Sequence, residues 1–181
     1  KPLGDYLQDE IFGPLGMVDT GFYVPDEKRD RFADVFTPDA ETGELVPIEA
    51  ASFAFRKGEI GMEKGGHGLV STIGDYARFC QMLVNGGELN GVRILAPETV
   101  ELMHTNVLPE GVSLFSDGVS PNPDMAGHGF GLDFAIFMDP SATGASQPAG
   151  AYYWGGAAGT WFWIDPVNEL FFIGMIQRFP G

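Results

Sequence analysis

The sequence predicts an α+β fold in which helices flank an antiparallel β-sheet. Three observations carry that expectation. Apolar residues recur at helical spacing before residue 105, most clearly in Ile73, Tyr76, Ala77, Cys80, Leu83 and Val84. Beyond residue 129 the pattern changes to short aromatic-rich runs punctuated by turn residues. The connections between the last runs are too short for crossovers, so at least the final pair must be antiparallel.

The elements follow in order. Pro2 to Ile11 reads as an amphipathic helix with Leu3, Tyr6, Leu7 and Ile11 on one stripe, stopped by Gly13-Pro14. Residues 17 to 65 are weakly periodic, with a strand expected near Arg31 to Thr37 and an extended stretch near Leu45 to Ile48. Ser71 or Thr72 can cap the next helix, with Asp75 at its positive end, and Asn85-Gly86-Gly87 can close it. A third helix starts at Pro97 and runs through Met103. Asn106 to Gly129 is rich in Pro, Gly, Asp and Ser and is expected as a long loop. Strands are then expected at Phe130 to Phe137, Tyr152 to Ala157, Thr160 to Ile164 and Leu170 to Gln177. Ser141 to Gly150 reads as a small-residue connection and Asp165-Pro166-Val167-Asn168 as a tight turn.

With 44% hydrophobic residues, including 15 Phe, the 181-residue chain can fill one full-sized core, which fits one domain or a large part of one. Its net charge of −15 argues against nucleic acid and anionic membrane surfaces as partners. The single cysteine, Cys80, excludes an internal disulfide and a Cys-rich zinc site, and its helical position makes it a core thiol. No apolar run is long enough to span a bilayer and no signal-peptide pattern is present, so membrane insertion is not expected.

The chemistry centres on Tyr152-Tyr153-Trp154-Gly155-Gly156-Ala157. Two glycines inside an aromatic strand leave nothing to bury, so another group is expected to approach the backbone there. Two readings stand side by side: a bulge or tight crossing that needs small residues, or a substrate-facing strand whose N–H groups stabilise an oxyanion. No nucleophile accompanies it. The chain has no G-x-S-x-G, no S-x-x-K and no Y-x-N, and no phosphate-binding or dinucleotide-binding glycine motif. His67, His104 and His128 form no metal-binding spacing, so neither a metal nor a cofactor is expected. His104, at a helix end, reads as a structural cation, and His128 as a loop residue before a strand. His67, in Gly65-Gly66-His67-Gly68, stands on a backbone flexible enough to line a cleft.

Three blocks then resemble one family, in its order and across nearly the whole chain. Lys1-Pro2-Leu3-Gly4-Asp5-Tyr6, continuing to Pro14-Leu15-Gly16-Met17-Val18-Asp19-Thr20-Gly21-Phe22, is similar to a stretch of the serine β-lactamase-like superfamily. Gly66-His67-Gly68 through Ser71-Thr72-Ile73-Gly74-Asp75 resembles the glycine turn and S-T-x-x-D helix of class C β-lactamases and family VIII carboxylesterases. Trp154-Gly155-Gly156 resembles the W-G-G that those esterases carry in place of K-T-G.

The resemblance implies a β-lactamase/transpeptidase-like fold, present here in part. It implies that residues 1–181 are the C-terminal part of one catalytic domain, helices and loops to about 129 and sheet strands from about 130 to 177. The nucleophile Ser and base Lys would then lie in the missing N-terminal part of the same enzyme. Residue by residue, it makes the Ala157 backbone N–H one oxyanion donor and Trp154, Gly155 and Gly156 substrate-binding. His67 becomes a pocket wall, in the place of a tyrosine. Trp154 cannot supply the lysine's charge, which favours short-chain esters over penicillins. A β-lactamase, D-amino-acid peptidase or amide hydrolase, or an inactive homologue acting as a binding module, are the alternatives. Localisation stays open, with the cytoplasm favoured by the resemblance.

Overall fold

The computed structural model describes residues 1–48, 61–112, 114–115 and 123–179. The chain divides into two compact units. The first holds Lys1–Phe79, Gly156–Thr160 and Gly174–Gly181, and the second holds Cys80–Gly155 and Trp161–Ile173.

The first unit opens with helix α1, Leu3–Leu7, which widens into a π-helical turn at Gln8–Phe12 and resumes as α2, Gly13–Leu15. Gly13-Pro14 therefore does not stop the helix. The Gly13 N–H reaches back five residues to the Gln8 carbonyl, and a Cβ on Gly13 would lie 2.7 Å from that oxygen. Pro14 follows in the first turn of α2, where its missing N–H costs nothing. The true end comes at Gly16, in the left-handed conformation at φ 69°, with Met17 N–H bonded to Phe12 O.

The strand expected from Arg31 forms only at β1, Phe36–Pro38, because Asp26–Arg31 is a 3₁₀ turn. β1 pairs antiparallel with β2, Leu45–Pro47. The segment 177–179 lies along β1: Phe36 N–H donates to Gln177 O and Phe179 N–H to Phe36 O, both at 2.9 Å. Residues 49–60 fall outside the described residues.

Helix α3, Ile73–Val84, begins as its sequence suggests, with the Thr72 hydroxyl accepting from the Asp75 N–H at 3.1 Å. In the second unit, β3 (Glu88–Leu89) and β4 (Val92–Arg93) form a hairpin around Asn90-Gly91. Helix α4 spans Pro97–Met103.

A five-stranded sheet follows in sequential order: β5 His128–Phe130, β6 Ala135–Phe137, β7 Tyr152–Gly155, β8 Thr160–Asp165 and β9 Leu170–Met175. Strands β5 to β8 pair antiparallel. The single strand expected over Phe130 to Phe137 is thus two strands of a hairpin, and the preceding loop ends at Gly127. The break lies at Gly131–Phe134. A Cβ on Gly131 would fall 2.1 Å from the Met103 carbonyl, and Asp133 adopts φ 73°.

Register aligns Gly129, Ile136, Tyr152 and Ile164 across β5 to β8, and all four are buried. Tyr152 packs against Phe134 and stacks on His104, with ring centroids 4.6 Å apart and planes 3° from parallel. Burial pushes the Cys80 thiol up to about 12, consistent with a core role. The other face of the sheet carries His128, Phe137 and Tyr153 in mutual ring contact, and Trp161 stacked on Phe172. Asp165 closes the β8–β9 turn. Burial raises its pKa, but bonds from Asn168 and Val167 outweigh burial and hold the carboxyl below the usual range.

Candidate functional site

Strand β7 is longer than its neighbour on one side. β6 pairs with it only as far as Ala135↔Tyr153, whereas β8 continues through Trp154↔Phe162 and Gly155↔Trp161. Trp154 and Gly155 therefore run past the end of β6. The Trp154 indole is half-buried against Phe130, centroids 5.4 Å apart, and Phe115, at 5.8 Å. Phe115 is an exposed aromatic held at φ 56°, a backbone state that bulky side chains rarely adopt.

The glycine pair leads into a tight turn of the first unit. Gly156 N–H bonds to Thr160 O at 2.7 Å and Gly159 N–H to Gly156 O at 3.0 Å, with the Ala157 N–H in neither bond. Gly155, Gly156 and Ala157 are all exposed. A Cβ on Gly156 would lie 2.6 Å from the Thr160 hydroxyl, so the group that approaches this glycine is the turn's own side chain. The tight-crossing explanation accounts for Gly156. Ala157 is exposed, and its N–H takes part in neither of these bonds.

The same turn is pinned from its far end. Arg178 N–H donates to Ala158 O at 2.9 Å, and a Cβ on Gly159, which holds φ 82°, would meet Ile176 Cγ1 at 2.6 Å. Backbone contact is closest where side chains are absent.

His67 lies in the first unit on an exposed turn, bridged across its backbone to Lys64. Among the described residues it makes no hydrogen bond, ion pair or ring contact with Gly156 or Ala157. His104 is structural, but not as a cation: burial lowers its pKa, which favours the neutral ring stacked on Tyr152. The His128 Nδ1–H donates to Ala126 O at 3.1 Å, and the ring packs on Phe137. Burial also raises the pKa of Tyr152 and Tyr153, which keeps both phenols protonated.

Two of the three resemblance blocks meet in a structural brace. The Asp75 carboxylate, only 6% exposed, accepts the Asp19 N–H at 2.6 Å and the Thr20 hydroxyl at 2.9 Å. Thr20 also shares a 2.8 Å hydrogen bond with Ser71, and Gly21 and Val70 exchange backbone bonds. Asp19 in turn binds Lys28 and Arg31, which together hold its carboxyl below the usual range. Except for Asp75, these residues border a cleft of about 260 Å³ in the first unit, which none of the expected site residues lines. The sequence places Asp75 at the positive end of α3 but carries no sign of its partners, since the 56-residue separation from Asp19 has no local signal.

Among the described residues, no group of three His, Cys, Asp or Glu side chains is placed to hold a metal, and no helix is long and apolar enough to cross a membrane.

Comparison with known proteins agrees with this architecture. The β-lactamase family model matches residues 1–181. Protein Rv1367c of Mycobacterium tuberculosis is 34% identical over 189 residues, covering 99% of this chain and 44% of that protein. The simvastatin synthase LovD of Aspergillus terreus superposes with a TM-score of 0.79 at 25% identity, covering 98% of this chain and 45% of that one. EstCE1, described as a hydrolase with promiscuous acyltransferase activity, superposes at 0.78 and 24% identity, covering 98% and 46%. The chain thus spans less than half the length of these proteins, and its α+β architecture is the β-lactamase/transpeptidase-like fold. A match that runs from the first residue to the last, on a fold shared with these structures, makes this chain a member of the β-lactamase family.

Proposed function

We propose that the chain is the C-terminal part of a serine carboxylesterase that hydrolyses short-chain esters through an acyl-enzyme. The observation that carries this reading is the end of β7: Trp154 and Gly155 run past β6 into an exposed turn whose Ala157 N–H is in neither turn bond. That N–H is one oxyanion donor, and the backbone N–H of a nucleophilic Ser in the upstream part of the polypeptide is the other. Removing such a donor typically costs about 2.7–4 kcal/mol of transition-state stabilisation.

Residues 1–181 then belong to one catalytic domain, and the Ser and Lys of S-x-x-K and the Tyr of Y-x-N come from the remainder. Ser Oγ attacks the ester carbonyl, the oxyanion turns toward Ala157, the alcohol leaves, and water releases the acid. Trp154 offers an apolar, uncharged side chain at the strand end, and the resemblance makes His67 a substrate-binding residue of the first unit. An uncharged indole gives a β-lactam carboxylate no partner, so esters are preferred.

The full-length protein tests this. Hydrolysis of p-nitrophenyl acetate and butyrate is expected to exceed that of nitrocefin. The reverse order would replace the esterase with a β-lactamase, and no turnover of any of the three would leave a binding module.

A further inference from the structure

The turn that carries Ala157 is a three-residue loop, Ala157-Ala158-Gly159, closed by Gly156 N–H to Thr160 O and by Gly159 N–H to Gly156 O. Its last residue is left-handed, the usual way for a loop of this length to rejoin its strand. The Gly156 carbonyl therefore points into the loop, where Gly159 donates to it. The peptide between Gly156 and Ala157 is trans and planar, so the Ala157 N–H points the opposite way, out of the loop. Its aim is set by the rotation of that one peptide plane. Glycine offers the plane little resistance of its own, because a residue without a Cβ leaves φ and ψ broad. The C-terminal segment holds the far side of the loop, through the Arg178 N–H on Ala158 O and the Ile176 side chain against Gly159. Thr160 holds the near side. Its hydroxyl lies 2.6 Å from the point that a Cβ on Gly156 would occupy, so it fills the space that the glycine leaves. Thr160 is half-buried and β-branched at the start of β8, which restricts χ1 and keeps the hydroxyl there. All of these residues belong to the first unit.

We infer that Thr160 is a positioning residue for ester hydrolysis: its hydroxyl, seated against Gly156, fixes the Gly156–Ala157 peptide plane and hence the direction in which the Ala157 N–H meets the oxyanion. The inference rests on the esterase reading and deepens it. Thr160 acts through the loop, and the N–H that it aims is needed where negative charge develops, in the transition state. The effect therefore belongs to kcat and not to KM. Losing an oxyanion donor outright costs about 10²–10³ in kcat, and a misaimed donor forfeits part of that.

The test uses the full-length protein and p-nitrophenyl butyrate, with active sites counted by a fluorophosphonate probe so that kcat refers to folded, competent enzyme. Gly156→Ala drives a methyl to within 2.6 Å of the Thr160 hydroxyl and is expected to lower kcat about 100-fold, with KM changed by less than about threefold. Thr160→Ala empties the space and should lower kcat about tenfold, whereas Thr160→Ser keeps the hydroxyl and should stay within about threefold of the wild type. The double variant, Gly156→Ala with Thr160→Ala, moves the methyl from one residue to the other. Its nearest neighbours on residue 160 are then the carbonyl oxygen at 3.8 Å and Cβ at 4.0 Å, which is ordinary contact. It should recover at least about tenfold in kcat over Gly156→Ala alone. A double variant no faster than Gly156→Ala, or a loss that appears in KM with kcat unchanged, overturns the inference while the esterase reading stands. If Gly156→Ala does not fold, Thr160→Ala and Thr160→Ser decide alone, and equal kcat in those two overturns it. No hydrolysis of the ester by the wild type overturns both.

Discussion

The brace between Asp75 and the Asp19-Thr20 pair can be measured directly. Asp75 accepts two hydrogen bonds across separations of 56 and 55 residues, one from a backbone N–H and one from a hydroxyl, with almost no access to water. A bond to a charged acceptor contributes about 1.5–3 kcal/mol when its partner is left without a substitute. Asp75→Ala removes the one oxygen that accepts both bonds, strands the Asp19 N–H and also loses the carboxylate at the start of α3, worth about 0.5 kcal/mol. The Thr20 hydroxyl keeps its bond to Ser71, so the two losses do not add in full. The expected cost is about 3–4 kcal/mol, read as the shift in urea-unfolding free energy followed by circular dichroism. At about 2–4 °C per kcal/mol for a chain of this size, the melting midpoint should drop by about 6–16 °C. Asp75→Asn can place its amide oxygen at the same point and keep both bonds without the charge, so it should cost about half as much. A cycle of Asp75→Asn with Thr20→Val should show a coupling of about 1 kcal/mol. If Asp75→Ala lies within about 0.5 kcal/mol of the wild type, or the coupling vanishes, the brace does not hold these segments together.

Two further outcomes test the turn and the core. Gly159→Ala is expected to cost about 2–3 kcal/mol and to speed hydrogen exchange at the Arg178 N–H, because it adds a clash with Ile176 to the left-handed strain. Gly43→Ala, at φ 73° with open space around it, carries the strain alone and should cost about 1 kcal/mol; equal costs would refute the close approach. For His104, burial places the folded pKa below the usual 6.5, so the unfolded chain takes the proton first as the medium acidifies. Its contribution is complete above about pH 6.5 and is lost as pH falls through the folded value. His104→Phe keeps the stack on Tyr152 and should flatten that part of the pH dependence between pH 7.5 and 5.5; an unaltered slope in unfolding free energy would show that His104 does not cause it.

Much of this fold is legible where one residue pattern meets one physical demand. The α3 stripe, the Thr72 cap and the aromatic strands β7 to β9 are of this kind. The β3–β4 hairpin carried a readable sign that went unused: Asn90-Gly91 stands between Leu89 and Val92 with both φ angles positive, the signature of a two-residue turn. Other features have no local sign. The division of Phe130 to Phe137 into two strands depends on the Met103 carbonyl, 28 residues from Gly131. The proposed strand-end site rests on residues that stand out in the sequence, but its geometry does not stand out there, since the register that stops β6 at Ala135 depends on pairing between strands. Gly156 illustrates the ambiguity well. A glycine required by a neighbouring threonine and one required by a substrate look alike in sequence.

The π-helical turn at Gln8–Phe12 has a consequence for how this chain is compared with others. Such a turn holds one residue more than an α-helix needs over the same rise, so it stores slack in the spacing between Leu7 and Leu15. A chain that lacks that residue can relax to an ordinary helix, but everything before the turn then rotates by about 100° relative to Leu15 and Met17. Position-by-position alignment from Lys1 will therefore drift by one at this point in any homologue without the widened turn. The drift will look like divergence of the Leu3-Tyr6-Leu7 stripe, although only its phase has changed.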